Sequence, residues 1–285
     1  MKRSDFRFLD DVNVRWAELD QQKIVFNGHY LLYMDTAITG YWRAMALPYH
    51  ETFEHLGGEL YVRKATLEYQ GSAEMGDRLA VGVRCARIGN SSMNFEMGVL
   101  RGDELLVRGD LVYVFADPVA KRALPLPQPL RELLLGFEAG EPMFHLRLGT
   151  WQEHGREAQT LRRSVFVQEQ GLDAGLDHDD DDTTAVHALV LNRLGLALAT
   201  ARLIGHSPGT AQLGRVAVLR PMRGSGLGRA MVEALAGAAR ARGDSRLLVH
   251  ARTDAVDFFA GAGFVLQGEP FHVAGVTHRE MLRRL

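Results

Sequence analysis

The chain has 285 residues, about twice the size of a typical compact domain, so we expect two domains. Hydrophobic residues make up 46% of it and charged residues 24%, which is ordinary for a globular protein and argues against disorder. The 33 basic and 35 acidic side chains give a net charge of −2. That balance supplies no general attraction for nucleic acid or for an anionic membrane.

Cysteine content and hydropathy predict a soluble, cytoplasmic protein. The single cysteine, Cys85, cannot form an internal disulfide, which excludes a secreted disulfide scaffold. The first residues carry basic side chains without an apolar stretch behind them, so they do not read as a signal peptide. No apolar run approaches the roughly 20 residues of a membrane span.

Proline-rich and glycine-rich segments place a division near residues 136–143. Residues 124–129 read Leu-Pro-Leu-Pro-Gln-Pro, and residues 139–142 read Ala-Gly-Glu-Pro. Such punctuation between periodic segments marks a boundary. We therefore expect one domain at residues 1–138 and a second at residues 139–285.

The first half predicts one long helix followed by antiparallel strands. Apolar residues recur at intervals of three and four over residues 29–45, as on one buried helix face. These are Leu31, Met34, Ile38, Trp42 and Met45. Residues 79–85 and 95–99 alternate with period two, and the continuous apolar run at 111–115 predicts a strand covered on both faces. The pattern indicates an α+β fold in which a sheet wraps one helix.

The second half alternates strands and helices, and a glycine-rich turn at residues 220–229 joins a strand to a helix. A helix N-terminus offers unpaired N–H groups and partial positive charge, which suit a phosphate group. Glycines in the turn would let the backbone approach such an anion closely. The turn lacks the Lys-Ser/Thr pair of a P-loop and the GxGxxG spacing of a dinucleotide fingerprint. The residues alone therefore leave two interpretations open, a phosphate site or a simple strand–helix corner.

Charge is unevenly distributed in this half. Residues 137–187 hold 4 basic and 11 acidic side chains, whereas residues 188–285 hold 13 basic and 6 acidic ones. The basic part suits a polyphosphate ligand. The acidic run at 177–182 lacks the spacing of a calcium loop, so we expect a solvated loop, or an attraction for a cationic acceptor, and no metal site.

The glycine-rich turn and its context resemble the GNAT acetyltransferases, whose acetyl-CoA motif is Arg/Gln-x-x-Gly-x-Gly/Ala. Arg223, Gly226 and Gly228 fill that motif. The resemblance covers roughly residues 144–285 and includes RVAVLRP at 215–221 and AVDFFAGAGF at 255–264. It implies that the backbone of Val216 and Val218 pairs with the pantetheine arm. It also implies that the pyrophosphate is held by the amides of Gly224, Ser225, Gly226, Leu227, Gly228 and Arg229.

The resemblance identifies the catalytic acid and the general base of this second domain less directly than it identifies the CoA site. Many family members use a tyrosine to protonate the leaving thiolate, and Phe259 occupies that position here. Glu169 is the candidate general base for an amine, acting directly or through water; the alternative is a solvated glutamate at a helix end. Further titratable candidates are His187, His250, His272 and His278, although a strand histidine is more often a packed residue.

In the first half, residues 14–35 run from a strand through a loop into the long helix. A helix N-terminus can polarise a thioester carbonyl, and a nearby carboxylate can attack it or activate water. From the residues alone Asp20 is an ordinary loop aspartate. The segment resembles the hotdog-fold acyl-CoA thioesterases of the 4-hydroxybenzoyl-CoA thioesterase type, which carry Asp-x-Asp-x-x-Gly-x-Val before a central helix. The resemblance covers nearly all of residues 8–135.

On this resemblance Asp20 is the catalytic aspartate. The substrate-binding candidates at the helix start are Asn27, Gly28 and His29. The motif's first aspartate is Glu18 here, and its usual glycine is replaced around Gln22-Lys23. Because hotdog domains bury their ligand between subunits, the resemblance also implies a homodimer or homotetramer.

Together the two resemblances predict an α+β hotdog domain followed by a GNAT-like mixed α/β domain. We expect a bifunctional enzyme that hydrolyses an acyl-CoA thioester and transfers an acyl group from acetyl-CoA to a small amine or a peptide amine. Acetyl-CoA or acyl-CoA enters as substrate, with no permanently bound cofactor, no nucleic acid and no membrane as partner. The alternative is one catalytic domain, with the hotdog domain serving as an oligomerisation scaffold or acyl-CoA sensor.

Overall fold

The computed structural model describes residues 1–273 and 275–285, which fall into two units, Met1–Met143 and Phe144–Leu285. Within these residues no helix combines the length and the apolar character needed to cross a bilayer.

The N-terminal unit is a five-stranded antiparallel sheet packed against one long helix. Its elements are β1 (Phe8–Asn13), α1 (Asn27–Ala44), α2 (Tyr49–Leu56), β2 (Glu59–Tyr69), β3 (Arg78–Ile88), β4 (Ser92–Arg101), β5 (Glu104–Ala116) and α3 (Gln128–Glu138). The strand order is β1-β3-β4-β5-β2, and all neighbouring strands are antiparallel. The predicted sheet around a central helix is confirmed.

Burial in this unit follows the predicted periodicity with two differences. Met34, Ile38 and Trp42 are buried as expected, but Leu31 is 39% exposed. The buried face of α1 also includes Tyr30, and position 31 lies about 100° around the helix from it. Residues 111–115 of β5 alternate between buried and half-exposed side chains, so the strand is covered on one face and the expected two-sided burial was wrong. The reason is that α1 packs against a single face of the sheet.

The C-terminal unit is a seven-stranded mixed sheet with helices. Its elements are β6 (Phe144–Gly149), α4 (Trp151–Arg162), β7 (Val186–Asn192), β8 (Ala197–Ser207), β9 (Thr210–Val218), α5 (Leu227–Arg242), β10 (Arg246–Arg252), α6 (Val256–Gly261), β11 (Val265–Val273) and β12 (Val276–Arg284). The strand order is β11-β12-β10-β9-β8-β7-β6. Among these strands β9 and β10 are parallel and the other neighbouring pairs are antiparallel. The order of strands and helices confirms the predicted GNAT-like α/β class.

The acidic run at 177–182 is only in part the solvated loop that the sequence predicted, because His178, Asp180 and Asp181 are exposed but Asp177 and Asp182 are buried. Asp182 is buried, and its carboxylate accepts hydrogen bonds from the fully buried Arg162 at 2.9 Å and lies 2.9 Å from Arg202. Asp179 pairs with Arg202 and with Arg215. Two acidic side chains of the run, Asp179 and Asp182, are therefore paired with arginines that lie outside it in the sequence. Among the described residues no three His, Cys, Asp or Glu side chains are grouped to hold a metal ion.

Candidate functional site

A wedge opens between the two parallel strands of the C-terminal unit. Residues 210–213 of β9 pair with residues 246–249 of β10. Within the described part of the chain this pairing does not continue to the C-terminal ends of the strands, although β9 remains paired with β8 as far as Val218. The backbone around Val216 and Val218, the predicted pantetheine contacts, therefore borders the wedge.

The glycine-rich turn follows β9 directly and leads into α5. Gly224 and Gly226 have φ angles of 77° and 88°, in the left-handed region that glycine adopts without strain. Gly226 is the N-cap of α5, and its lack of a side chain means that no side-chain oxygen caps the helix. Helix geometry leaves the first N–H groups of α5 without intrahelical partners. The turn thus presents uncapped backbone donors at the mouth of the wedge.

Two arginines of the predicted site make defined contacts in this region. The Arg223 guanidinium forms a bidentate pair with Glu169, with Nη1–Oε1 at 2.6 Å and Nη2–Oε2 at 2.7 Å. Its Nε also donates to the carbonyl of Val218 at 3.2 Å. Arg229 donates to the carbonyl of Gly261 at 2.7 Å. The structure therefore brings the predicted base, Glu169, into direct contact with the predicted CoA motif.

The environment of Glu169 favours its charged form. The hydrogen bonds from Arg223 hold the pKa of the Glu169 carboxyl below its usual range, and the charges of Arg220 and Arg252 act in the same direction. A lowered pKa makes a carboxylate a weaker proton acceptor.

Sequence reasoning did not identify Gln170 and Arg252. A π-helical segment, Arg163–Glu169, extends α4, and its end places Glu169 beside Arg223. The next residue, Gln170, accepts a hydrogen bond from Arg252 at the end of β10 at 2.5 Å. Glu169 therefore contacts the turn that follows β9, and Gln170 contacts the end of β10. Such π-helical turns are frequent at functional sites. They differ from an α-helix by one residue in the spacing of the backbone hydrogen bonds, and the spacing of apolar residues in the sequence does not reveal this difference.

Close packing surrounds the start of α5. A Cβ atom on Gly228 would lie 3.1 Å from the Phe258 ring, so glycine permits the approach of α6. Phe259 is buried, with its ring against Phe258 and Phe264. The position that carries a tyrosine in many GNAT enzymes is here a packed hydrocarbon ring with no proton to donate.

In the N-terminal unit, Asp20 lies in a tight turn that leads into α1. Its N–H donates to the carbonyl of Ile24 at 2.9 Å, and its carboxylate accepts the N–H of Gln22 at 2.7 Å. Lys23, at the place where the motif has glycine, has a φ of 64°. This conformation explains the glycine of the motif, because a side chain there is strained.

Hydrogen bonds from neighbouring residues fix the carboxylate of Glu18. Its carboxylate accepts a hydrogen bond from the Tyr33 hydroxyl of α1 at 2.6 Å, and from the backbone and side chain of Arg15 at 2.8 Å each. Burial alone would raise the pKa of Glu18, but these hydrogen bonds outweigh it and leave the pKa lowered. The ionised Glu18 thus ties the segment before Asp20 to α1.

The predicted substrate-binding residues form the first turn of α1. Asn27 and Gly28 are exposed and His29 is half-buried, with its ring edge-on to Phe26. Phe26 is the N-cap and supplies no side-chain hydrogen bond to the helix. The N–H of His29 donates to the carbonyl of Phe26 at 2.9 Å, and helix geometry leaves the N–H groups of Asn27 and Gly28 without intrahelical partners, so these two can face an oxygen atom of a ligand.

The N-terminal sheet ends at β1 on one side and at β2 on the other, and β2 is the longer of these two edge strands. Among the described strands β2 pairs with β5 alone. It is 11 residues long and exposed over most of its length, with Tyr61, Val62 and Tyr69 half-exposed. Unpaired edge strands of this length are templates for pairing with another strand.

Comparison with known proteins assigns a family to each unit. Residues 14–134 match the model of the thioesterase-like superfamily, and residues 178–285 match the model of the acetyltransferase (GNAT) domain. The uncharacterized N-acetyltransferase YjcF of Bacillus subtilis is 31% identical over 133 residues, which is 46% of this chain and 94% of that protein. The uncharacterized protein YyaT of the same organism is 30% identical over 133 residues, 45% of this chain and 88% of its own length.

Among solved structures, a thioesterase from Thermus thermophilus in complex with coenzyme A and Zn is 28% identical, with a TM-score of 0.42. The match covers 48% of this chain and 98% of that chain. The family models and the curated relatives carry the assignment. The N-terminal unit of this chain is a thioesterase-like domain by its match to that family model, and its C-terminal unit belongs to the GNAT acetyltransferase family.

Proposed function

We propose that the chain is a bifunctional acyl-CoA enzyme, with an acyl-CoA thioesterase in the N-terminal unit and an N-acyltransferase in the C-terminal unit. The observation that carries the proposal is that each unit separately belongs to a family acting on acyl-CoA thioesters. A second feature common to both units supports it: each has a helix N-terminus without a side-chain cap next to its candidate reactive residues.

In the C-terminal unit, acetyl-CoA lies along the wedge beside β9. The backbone of Val216 and Val218 pairs with the pantetheine arm, and the amides from Gly224 to Arg229 hold the pyrophosphate. Arg223 and Arg229 add positive charge there, and the excess of arginine in residues 188–285 has the sign that this anion requires. The thiolate can leave without receiving a proton from residue 259, because a thiol of pKa about 8.5 is already a fair leaving group.

In the N-terminal unit, the acyl thioester lies at the start of α1. The amides near Asn27 and Gly28 polarise its carbonyl oxygen, as an oxyanion hole does. Asp20 attacks the carbonyl carbon or activates a water molecule. Its position is supported by Glu18, two residues earlier, whose carboxylate is fixed by hydrogen bonds. The turn keeps the Asp20 carboxylate partly exposed, with one of its oxygens bound to a backbone N–H.

Two copies of the chain assemble through β2. Pairing of this open edge with its counterpart would continue the sheet and cover its half-exposed tyrosines. The exposed edge supports a symmetric homodimer or homotetramer built on this pairing.

A second candidate function is one catalytic unit with a silent partner. Lys23 in a strained conformation within the Asp20 turn favours a hotdog unit kept as a scaffold or acyl-CoA sensor. The packed ring of Phe259 favours a silent transferase instead.

Thiol release from a panel of acyl-CoAs, measured first without amine and then with amines, separates these candidates. Asp20→Asn should abolish amine-independent release, whereas Asp103→Asn, at an exposed turn aspartate of the same unit, should not. Gly226→Glu should abolish amine-dependent release, because it adds strain and negative charge at the pyrophosphate turn. Gly195→Glu is its matched control, since Gly195 has a φ of 80° with open space around it in the β7–β8 turn. Release unaffected by Asp20→Asn would contradict the thioesterase assignment.

A further inference from the structure

His250 occupies a defined place at the base of the wedge. The last paired residues of the parallel strands are Leu213 and Val249, and His250 is the next residue of β10. Its side chain is 33% exposed. Because side chains alternate along a strand, His250 shares a face of the sheet with Arg252, whose guanidinium contacts Gln170. The imidazole therefore lies on the α4 side of the sheet, where the strands separate.

Neighbouring strands complete a cluster around this imidazole. His250 pairs with Glu280 of β12 in the sheet, and its Nε2 lies 3.4 Å from Glu280 Oε2. Its Nδ1 lies 3.5 Å from Nε2 of Gln212 on β9. The Phe271 ring of β11 stands edge-on to the imidazole at 5.0 Å, and His278 stacks against the same phenyl ring. Four strands thus contribute side chains to one half-buried polar cluster.

The two neighbours orient the ring. The Glu280 carboxylate can only accept hydrogen bonds, so it favours the tautomer with the proton on Nε2. The lone pair is then on Nδ1, on the side of β9, the other strand of the wedge. Glu280 faces Nε2 at 3.4 Å, on the side of the imidazole where the third member of a catalytic triad would lie.

The base expected from the sequence is engaged elsewhere. Both oxygens of Glu169 accept hydrogen bonds from Arg223, and the pKa of Glu169 is lowered by that contact. Two other ionisable side chains near His250 also have partners. Arg252 pairs with Asp254, and Nδ1 of His278 faces the carbonyl of Val276 at 2.9 Å.

We propose that Gln212, His250, Phe271, His278 and Glu280 form the acceptor site of the C-terminal unit, in which His250 is the general base for a primary ammonium group. The proposal rests on the proposed acyltransferase function and names the site at which the acceptor reacts. Glu280 and the face of Phe271 suit a cationic acceptor before it loses its proton.

The chemistry balances without another reactant. His250 Nδ1 takes one proton from the ammonium group, and the resulting amine attacks the thioester carbonyl carbon, forming the C–N bond. The C–S bond then breaks, the nitrogen loses a second proton to the departing thiolate, and the amide and CoA thiol are released. Imidazolium returns its proton to solvent.

The test compares acceptors that need a base with one that does not. Acetylated product is measured by mass spectrometry in the full chain, with Asp20→Asn present to suppress hydrolysis. The acceptors are ethanolamine, benzylamine and N-acetyl-lysine, which are protonated at pH 7, and methoxyamine, which is not. His250→Gln should lower kcat/KM for the protonated amines by about 100-fold or more, and for methoxyamine by no more than about threefold. Glu280→Gln should give a smaller loss of the same pattern.

His272→Gln is the matched control, because His272 lies next to Phe271 and is exposed. Acetyl-CoA affinity, measured by calorimetry, should be the same in all variants. Equal losses with methoxyamine and with the protonated amines, unchanged rates, or weakened acetyl-CoA binding in His250→Gln would each overturn the assignment of His250. A parent chain that acetylates none of the amines would instead contradict the acyltransferase function itself.

Discussion

The buried charge network of the C-terminal unit allows a sharp test of its electrostatics. Asp182 is 1% exposed and Arg162 is 0% exposed, and two contacts of 2.9 Å join them. Asp182 also faces Arg202 and accepts the backbone N–H of Asp179. The Asp182→Asn variant keeps the size of the side chain but removes the charge between two arginines.

The expected destabilisation is large. Removing one partner of a buried ion pair leaves an uncompensated buried charge, which costs about 3–5 kcal/mol. A typical domain has only about 5–15 kcal/mol of stability, so the change would consume a large share of it. In the same run Asp181 is 63% exposed and 3.9 Å from Arg202, so Asp181→Asn should cost less than about 0.5 kcal/mol.

Hydrogen exchange of peptides from β7 measures this unit separately from the N-terminal one. At about 1.4 kcal/mol for each factor of ten, Asp182→Asn should speed the slowest β7 amides by at least roughly 100-fold. Asp181→Asn should leave them almost unchanged. If the two variants gave similar rates, or if Asp182→Asn cost less than about 1 kcal/mol, the buried network would not stabilise the unit in the way the distances indicate.

Three further predictions concern local features of the two units. Lys23→Gly should raise the free energy of unfolding of the N-terminal unit by about 0.5–1 kcal/mol in urea, because glycine relieves the strain at a φ of 64°. Gln22→Gly, at the adjacent position, should lower the free energy of unfolding instead. Tyr33→Phe should cost about 1.5–3 kcal/mol, because a buried hydrogen bond to the charged Glu18 is lost, whereas Tyr61→Phe at a half-exposed site should be nearly neutral. Hydrogen bonds from Arg202 and Arg215 lower the pKa of Asp179, so its contribution to stability is complete above the unfolded value of about 3.9 and is lost as the pH falls below it. Urea midpoints of the C-terminal unit between pH 5 and pH 3 should therefore decline less steeply in Asp179→Asn, and an unchanged slope would count against this pairing.

The fold was largely predictable because its signals are local and periodic. The buried stripe of α1 and the alternation in β3 and β4 indicated an antiparallel sheet on one helix, and the structure has it. The glycine-rich turn between β9 and α5 was also visible, because left-handed backbone demands glycine at identifiable positions. Leu31 and β5 were assigned too much burial because periodicity shows which residues are apolar but not how many faces a neighbour covers.

The contacts within the candidate sites depend on residues far apart in the chain. Arg223 and Glu169 are 54 positions apart, and nothing in either segment indicates that they meet. His250 was one of several histidines in the sequence; the end of β9–β10 pairing and the approach of Glu280 from β12 distinguish it from the others. In the acidic run, likewise, nothing in the local sequence indicates that Asp182 pairs with Arg162 or that Asp179 pairs with Arg215.

The sequence by itself determined the two domain classes and the position of the glycine-rich turn, since each depends on residue types at short, regular spacing. Tertiary structure alone decided which carboxylates are paired with arginines, which histidine lies where the β9–β10 pairing ends and which edge strand of the N-terminal sheet is the longer one. The physical reason is that a charge acts over a few ångströms in space, whereas the sequence records only distance along the chain.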